Sequence, residues 1–284
     1  VIMADIRPNS LDKVRVFSID INEYTEFGLR EEDAPTQGWA RYIFGVCREI
    51  QKRGGKAECF DAVFAGDIPL GAGLSSSAAL ESCFAFALND MFNGNAIDKF
   101  ELARIGQSTE HNYCGVNCGI MDQFAIGMGK EGCAVLLDCN TLNYEYAPLD
   151  LKGVSIVIMN TNKRRELADS KYNERRSECE RALKELQRKL PIKSLGDLSI
   201  DEFEKNKELI TNPTDRKRAK HAVYENQRTL QAVERLKAGD LKTFGKLMNE
   251  SHISLRDDYE VTGKELDTLA EAAWQQPGVL GARM

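Results

Sequence analysis

A run of glycine and serine, PLGAGLSSSAALES from Pro69 to Ser82, stands between a β-branched stretch and an apolar one. FDAVFAGDIPL (60–70) reads as a strand stopped by Pro69, and the residues after the serines read as a helix reaching about Asn89. The chain must therefore pass from strand to helix through a loop whose glycines permit positive φ and close approach of the backbone to a ligand. A helix that begins at such a loop aims free N–H groups and its positive dipole end at whatever sits there, which makes an anion site with phosphate as its usual occupant. Serine hydroxyls add donors for phosphate oxygens or a ligand for magnesium. The plainer alternative, a serine that merely caps the helix, stays open on composition alone. Two other loops are excluded: neither GxxxxGK[ST] nor GxSxG occurs here.

VRVFSI (14–19) reads as a strand, and WARYIFGVCREIQKRG (39–54) as a helix with a basic, glycine-terminated end. KFELARIGQSTEHNY (99–113) is a further helix, and CAVLLDC (133–139), LNYEYAPL (142–149) and VSIVIMN (154–160) read as three strands. Beyond residue 160 the texture becomes helical and charged, with helices expected at 170–190, 215–239, 240–258 and 263–276. The change of texture places a boundary near 150–165, between an α/β front part and a mainly helical rear part. Basic residues of the rear part alternate with glutamate at helical spacing, so a solvated, ion-paired face is expected there rather than a nucleic-acid patch.

A net charge of −6 over 284 residues disfavours a nucleic-acid partner. No run reaches the roughly 20 apolar residues of a membrane span, and the first residues lack the pattern of a signal peptide. The eight cysteines lie mostly in apolar runs, which suits free thiols of a cytoplasmic protein. Cys114 and Cys118 lack two further ligands at zinc spacing.

The loop resembles the PxGxGLSSSA motif of the GHMP kinases. CGIMDQF (118–124), QSTEHNYCGVN (107–117), GWARYIFGV (38–46), the Tyr172-Asn-Glu-Arg-Arg run and SLRDDYEVTGKELDTLAEAAW (254–274) resemble the galactokinase branch of that family, in order and over almost the whole chain. The resemblance implies the α+β, two-domain GHMP kinase fold, with the active site between a mixed-sheet N-terminal domain (1–155) and a helix-rich α/β C-terminal domain (156–284). It implies ATP-dependent phosphorylation of galactose at its anomeric hydroxyl by a cytoplasmic monomer, with galactose and ATP as its partners and neither nucleic acid nor membrane. It places the catalytic aspartate at Asp122, the magnesium partners at Ser77 and Glu110, and sugar contacts at Gly119 and Tyr172. Gly71, Ala72, Gly73, Leu74, Ser75, Ser76 and Ser77 would line the phosphates. Trp39 and Tyr42 would wall the adenine pocket, with Ser18 as a further nucleotide contact. His111, His221 and His252 match no position of the family's machinery.

Galactokinases also open with a motif like GRVNLIGEHTDYNGG and close with one like TGAGFGGC, and neither is present. The chain is thus expected to be a fragment that lacks the arginine beside the catalytic aspartate and does not turn over alone. N-acetylgalactosamine kinase and a non-catalytic sensor of galactose and ATP are the competing readings. The intact Ser77-Ala78 pair favours the enzyme over the sensor.

Overall fold

The alternating apolar residues of VRVFS and FDAVFAG become neighbouring strands of a four-stranded mixed sheet. The computed structural model describes residues 1–69, 73–151, 153–163 and 168–284, with side chains described from residue 173 onward in the last segment. The strands are β1 (Ile2–Pro8), β2 (Val14–Ser18), β3 (Glu23–Phe27) and β4 (Phe60–Gly66), in the order β1-β4-β2-β3. β2 and β4 run parallel, with Val16 opposite Ala62 and Ser18 opposite Phe64, while β1 and β3 pair antiparallel at the two edges. A parallel pair needs a crossover, supplied here by β3 and helix α1 (Gly38–Lys52).

One sheet face carries Val14, Val16, Phe60, Ala62 and Phe64 into a core with Phe44 and Ile50 of α1 and Phe84 and Leu88 of α2 (Ser76–Asn93). Among residues of the opposite parity, Arg15 and Asp61 carry charge. Arg15 grips Asp61 through two hydrogen bonds of 2.7 Å across the parallel ladder. Those bonds, with help from Asn9, hold the Asp61 carboxyl far below the usual carboxylate range.

Helix α3 (Lys99–Thr109) follows, its N-terminus capped by Asp98, which accepts from Glu101 N at 2.9 Å. The expected continuous helix to residue 113 instead changes to a π turn over Glu110–Cys114, closed by Gly115 at φ +74°. A short helix, α4 (Met121–Met128), carries the MDQF stretch. Strands β5 (Cys133–Leu137) and β6 (Tyr144–Pro148) form a two-stranded sheet.

The chain clusters into two compact units, one of residues 1–131 with 137–144, the other of 132–136 with 145–284. The second is built from α5 (Ala168–Leu186), α6 (Ile200–Asn206), α7 (Pro213–Lys237), α8 (Leu241–Ser254) and α9 (Gly263–Trp274). Leu186, Phe203, Ile210 and Val223 form its core. The charges of α5 and α7 are not all solvated, as their alternation with glutamate had suggested. Arg218 is buried, bonded to Glu178 at 2.8 Å, to Glu260 at 2.9 Å and to the Asp258 carbonyl at 2.7 Å. Arg175 joins the same web through Glu178 and the Tyr259 carbonyl.

VSIVIMN (154–160) departs from its expected strand. It is assigned to no strand in the described structure, and Ile156, Val157 and Ile158 are 69%, 75% and 59% exposed. β-branched residues favour a pleated, half-buried surface, and strand formation requires a second backbone to complete the ladder.

Candidate active site

The parallel strands β2 and β4 end beside the start of α2, and a cavity of about 200 Å³ opens there within the first unit. Ser18, Trp39, Tyr42, Phe64, Ser76 and Ser77 line it. Ser18 sits at the last pair of the parallel ladder, opposite Phe64. Trp39 is fixed from two sides: its indole N–H donates to Glu23 Oε2 at 2.7 Å, and its ring stands 5.7 Å from that of Phe64. An apolar aromatic wall facing serine hydroxyls suits a ligand with a flat ring at one end and anionic oxygens at the other.

The loop before α2 is not a simple serine cap. Ser75 occupies the N-cap position in the left-handed region (φ +54°, ψ +47°), and its side chain makes no capping bond. A capping serine needs extended backbone, so this geometry forgoes the usual stabilisation. Holding a non-glycine residue there costs on the order of 1 kcal/mol. Gly73, at φ +74°, shares the left-handed turn. Gly73 and Leu74 are exposed, Ser75, Ser76 and Ser77 are half-buried, and Gly71 and Ala72 lie outside the described residues.

Ser77 and Glu81 are four residues apart on α2 and share one face of it. The carboxyl of Glu81 is wholly buried, and the negative charges of Glu110 and Asp122 act on it. Burial first, and those two carboxylates second, push Glu81 up to about 9. The Cys118 thiol is pushed up to about 12 by burial and by the same acids. Residues from α2, the π turn and α4 thus act on one another electrostatically, among them the expected Asp122 and Glu110. Glu110 is 7% exposed, at the point where α3 loosens into the π turn, a geometry common at functional positions.

The turn before α4 is tied by residues that sequence reasoning passed over. Gln107 Nε2 and His111 Nε2 both reach the Cys118 carbonyl, at 3.3 Å and 2.8 Å. Asn112 and Arg53 meet at the Glu49 carboxylate, which anchors the π turn to α1. Gly119 has no positive φ, and a Cβ built there meets nothing within 4 Å. Neither packing nor backbone geometry demands glycine at that position. The Tyr172 side chain lies outside the described residues.

Among the described residues, no group of three or more His, Cys, Asp or Glu side chains is placed to hold a metal. Ser77 and Glu110 offer two hard oxygen donors. Hard oxygen donors are the kind that magnesium takes, with water and phosphate in its other positions.

Residues 41–130 match the model for the N-terminal domain of GHMP kinases, and residues 231–284 match the model for their C-terminal domain. The chain is 55% identical over 277 residues to the galactokinase of Clostridium acetobutylicum, covering 96% of this chain and 71% of that one. The galactokinase of Clostridium beijerinckii is 58% identical, over 98% of this chain and 72% of its own. The crystal structure of Lactococcus lactis galactokinase complexed with galactose superposes with a TM-score of 0.95 at 47% identity, covering all of this chain and 74% of that one. A mevalonate kinase structure matches at a TM-score of 0.59 and 16% identity, which speaks to the fold alone. The expected α+β GHMP kinase fold is thereby shown, and the chain belongs to the galactokinases of the GHMP kinase family.

Proposed function

We propose that the first unit binds ATP in the cavity beside α2 and that Asp122 accepts the proton of the anomeric hydroxyl of galactose as that oxygen attacks the γ-phosphate. The bond formed is from the sugar oxygen to phosphorus. The bond broken joins the γ-phosphorus to its bridging oxygen, which leaves on ADP. The observation that carries the reading is the cavity itself, which assembles Ser18, Trp39, Tyr42, Ser76 and Ser77 in one lining. Trp39 and Tyr42 would flank the adenine. The uncapped start of α2, with Gly73 and the serines, would take the phosphates. Ser77 and Glu110 would hold magnesium, which when bound neutralises charge on the phosphate oxygens. The open space at Gly119 would admit the sugar, with Tyr172 as a second contact.

Phosphoryl transfer depends mainly on positioning and charge stabilisation, and a positioned base contributes about 10²- to 10⁴-fold. The test is Asp122→Asn in a polypeptide that carries this chain together with the opening and closing motifs of its family. Galactose-dependent release of ADP should fall by about 10²-fold or more, while ATP affinity, read from Trp39 fluorescence quenching, stays within about twofold. Turnover close to that of the parent would show that the base has been misassigned.

A further inference from the structure

We propose that Glu81 and Gln123 close a buried ring of two hydrogen bonds that holds Asp122 in register with the phosphate loop, which makes both of them positioning residues. The proposal rests on the reading of Asp122 given above. Glu81 lies on α2, one turn beyond Ser77. Gln123 lies on α4, directly after Asp122. Their side chains meet in the interior: Glu81 is 0% and Gln123 2% exposed. Gln123 Nε2 donates to Glu81 Oε2 at 3.1 Å.

The remaining oxygen of each group decides the argument. Glu81 Oε1 and Gln123 Oε1 are both buried and have no hydrogen-bond partner. Two buried acceptors without a donor would each carry a desolvation penalty. A carboxylic acid facing a primary amide removes both penalties. The acid's O–H donates to the amide oxygen while the amide N–H donates to the acid's carbonyl oxygen. An ionised carboxylate has no hydrogen to give, so the Gln123 oxygen would stay without a donor. Full burial of the side chain disfavours an ionised carboxylate in the same sense.

Helix α3 supports the same assignment. A Cβ at Gly106 would come within 2.8 Å of Gln123 Cγ and 3.0 Å of Glu81 Oε2. Glycine at that position leaves room for the pair, so α2, α3 and α4 converge on it. The ring links the helix that begins at the phosphate loop to the helix that carries Asp122. Misplacing a reacting group by about 1 Å can cost about 10²-fold in rate, so a link of this kind would be read in kcat.

The experiment uses Glu81→Met, Glu81→Gln and Gln123→Leu, with turnover measured in the polypeptide completed with the family's two end motifs. Glu81→Met should lower kcat by about tenfold or more and leave KM for ATP within about twofold. Glu81→Gln can rebuild the ring as an amide pair and should recover kcat to within about threefold of the parent, which a loss of packing alone would not predict. A Glu81→Gln enzyme as poor as Glu81→Met would overturn the proposal, because an ionisable carboxyl would then be the requirement. So would a Glu81→Met enzyme with lowered thermal stability and parental kcat. Unfolding midpoints of the 284-residue chain supply a test that needs no substrate. The combined Glu81→Met and Gln123→Leu change should cost no more than the larger single change, and additive losses would overturn the ring. That result separates the ring from the base, since survival of turnover in Asp122→Asn would refute the role of Asp122 without altering the midpoints. Should Glu81→Met fail to fold, Glu81→Gln against Gln123→Leu decides the matter on the same two readouts.

Discussion

Gly45 lies in the middle of α1, within the GWARYIFGV stretch, and its replacement by alanine tests how Glu110 is held. A Cβ at Gly45 would stand 2.5 Å from Thr109 Cγ2 and 2.9 Å from Tyr113 Cδ2. Ordinary carbon contacts lie at about 3.5–4.0 Å, so α1 and the end of α3 would have to separate by about 1 Å. Overpacking of this kind costs about 1–3 kcal/mol, and the better helix propensity of alanine returns about 1 kcal/mol. The net loss is therefore about 1 kcal/mol, or a fall of about 3 °C in the unfolding midpoint. Gly38 begins the same helix at a place where a Cβ meets nothing within 4 Å, so Gly38→Ala is the matched control. It should be neutral or slightly stabilising. The displaced Thr109 immediately precedes Glu110, so Gly45→Ala should also raise the magnesium concentration for half-maximal activity. Thermal unfolding and a magnesium titration on both variants make the comparison. A Gly45→Ala chain that melts at or above Gly38→Ala would refute the packing argument. Lost stability with an unchanged magnesium requirement would refute the link to Glu110.

Three further outcomes can be checked. Ser77→Ala and Glu110→Gln should each raise the magnesium requirement while the unfolding midpoint moves little for Ser77→Ala, whose hydroxyl is half-buried; two unchanged titrations would remove both from the metal site. Tyr172→Phe should weaken galactose more than ATP, and equal shifts in the two affinities would leave Tyr172 without a sugar contact. Burial lowers His221 from 6.5 to about 4, with Ser254 Oγ 2.9 Å from Nδ1 and Glu225, Asp258, Arg228 and Arg283 around it. A histidine neutral in the fold and protonated in the unfolded chain gives stability that is complete above pH 6.5 and lost as pH falls towards 4, so His221→Phe should flatten stability in that window, and an identical slope in both proteins would show another group at work.

What could be read from residue order alone divides along physical lines. VRVFS and FDAVFAG carry their strand pattern because both lie inside the sheet and bury alternate residues. The edge strands β1 and β3 carry no such pattern: only Thr25 and Phe27 of β3 are buried, and β1 buries none of its residues fully. The parallel pairing of β2 with β4 is a long-range fact that no local pattern reports. The π turns at Glu110–Cys114 and Leu255–Tyr259 likewise continue the residue spacing of the helices before them, so each reads in sequence as the end of a helix. VSIVIMN failed in the opposite sense, since its propensity is strong and the pairing that would realise it is absent among the described residues.

The candidate site shows the same division at the level of single side chains. Ser77, Glu110 and Asp122 came from motifs, because hydroxyl and carboxylate chemistry is written in residue type. Glu81 did not, although it sits one turn after Ser77 in the same quoted run. In sequence it is a glutamate on a helix, and a glutamate on a helix is usually solvated. Its wholly buried position follows from α3 and α4 closing over that face of α2, and the Gly106 backbone that permits the closure lies on a third helix. His111 follows the same rule. It matches no catalytic position, yet its Nε2 reaches the carbonyl of Cys118 four residues before Asp122, a contact made only after the π turn has re-aimed the chain. Residues that do chemistry can be sought by type, whereas residues that position them are defined by what the fold places opposite them. In this unit the opposing groups are a buried acid, an amide and a glycine, none of which marks a site by itself.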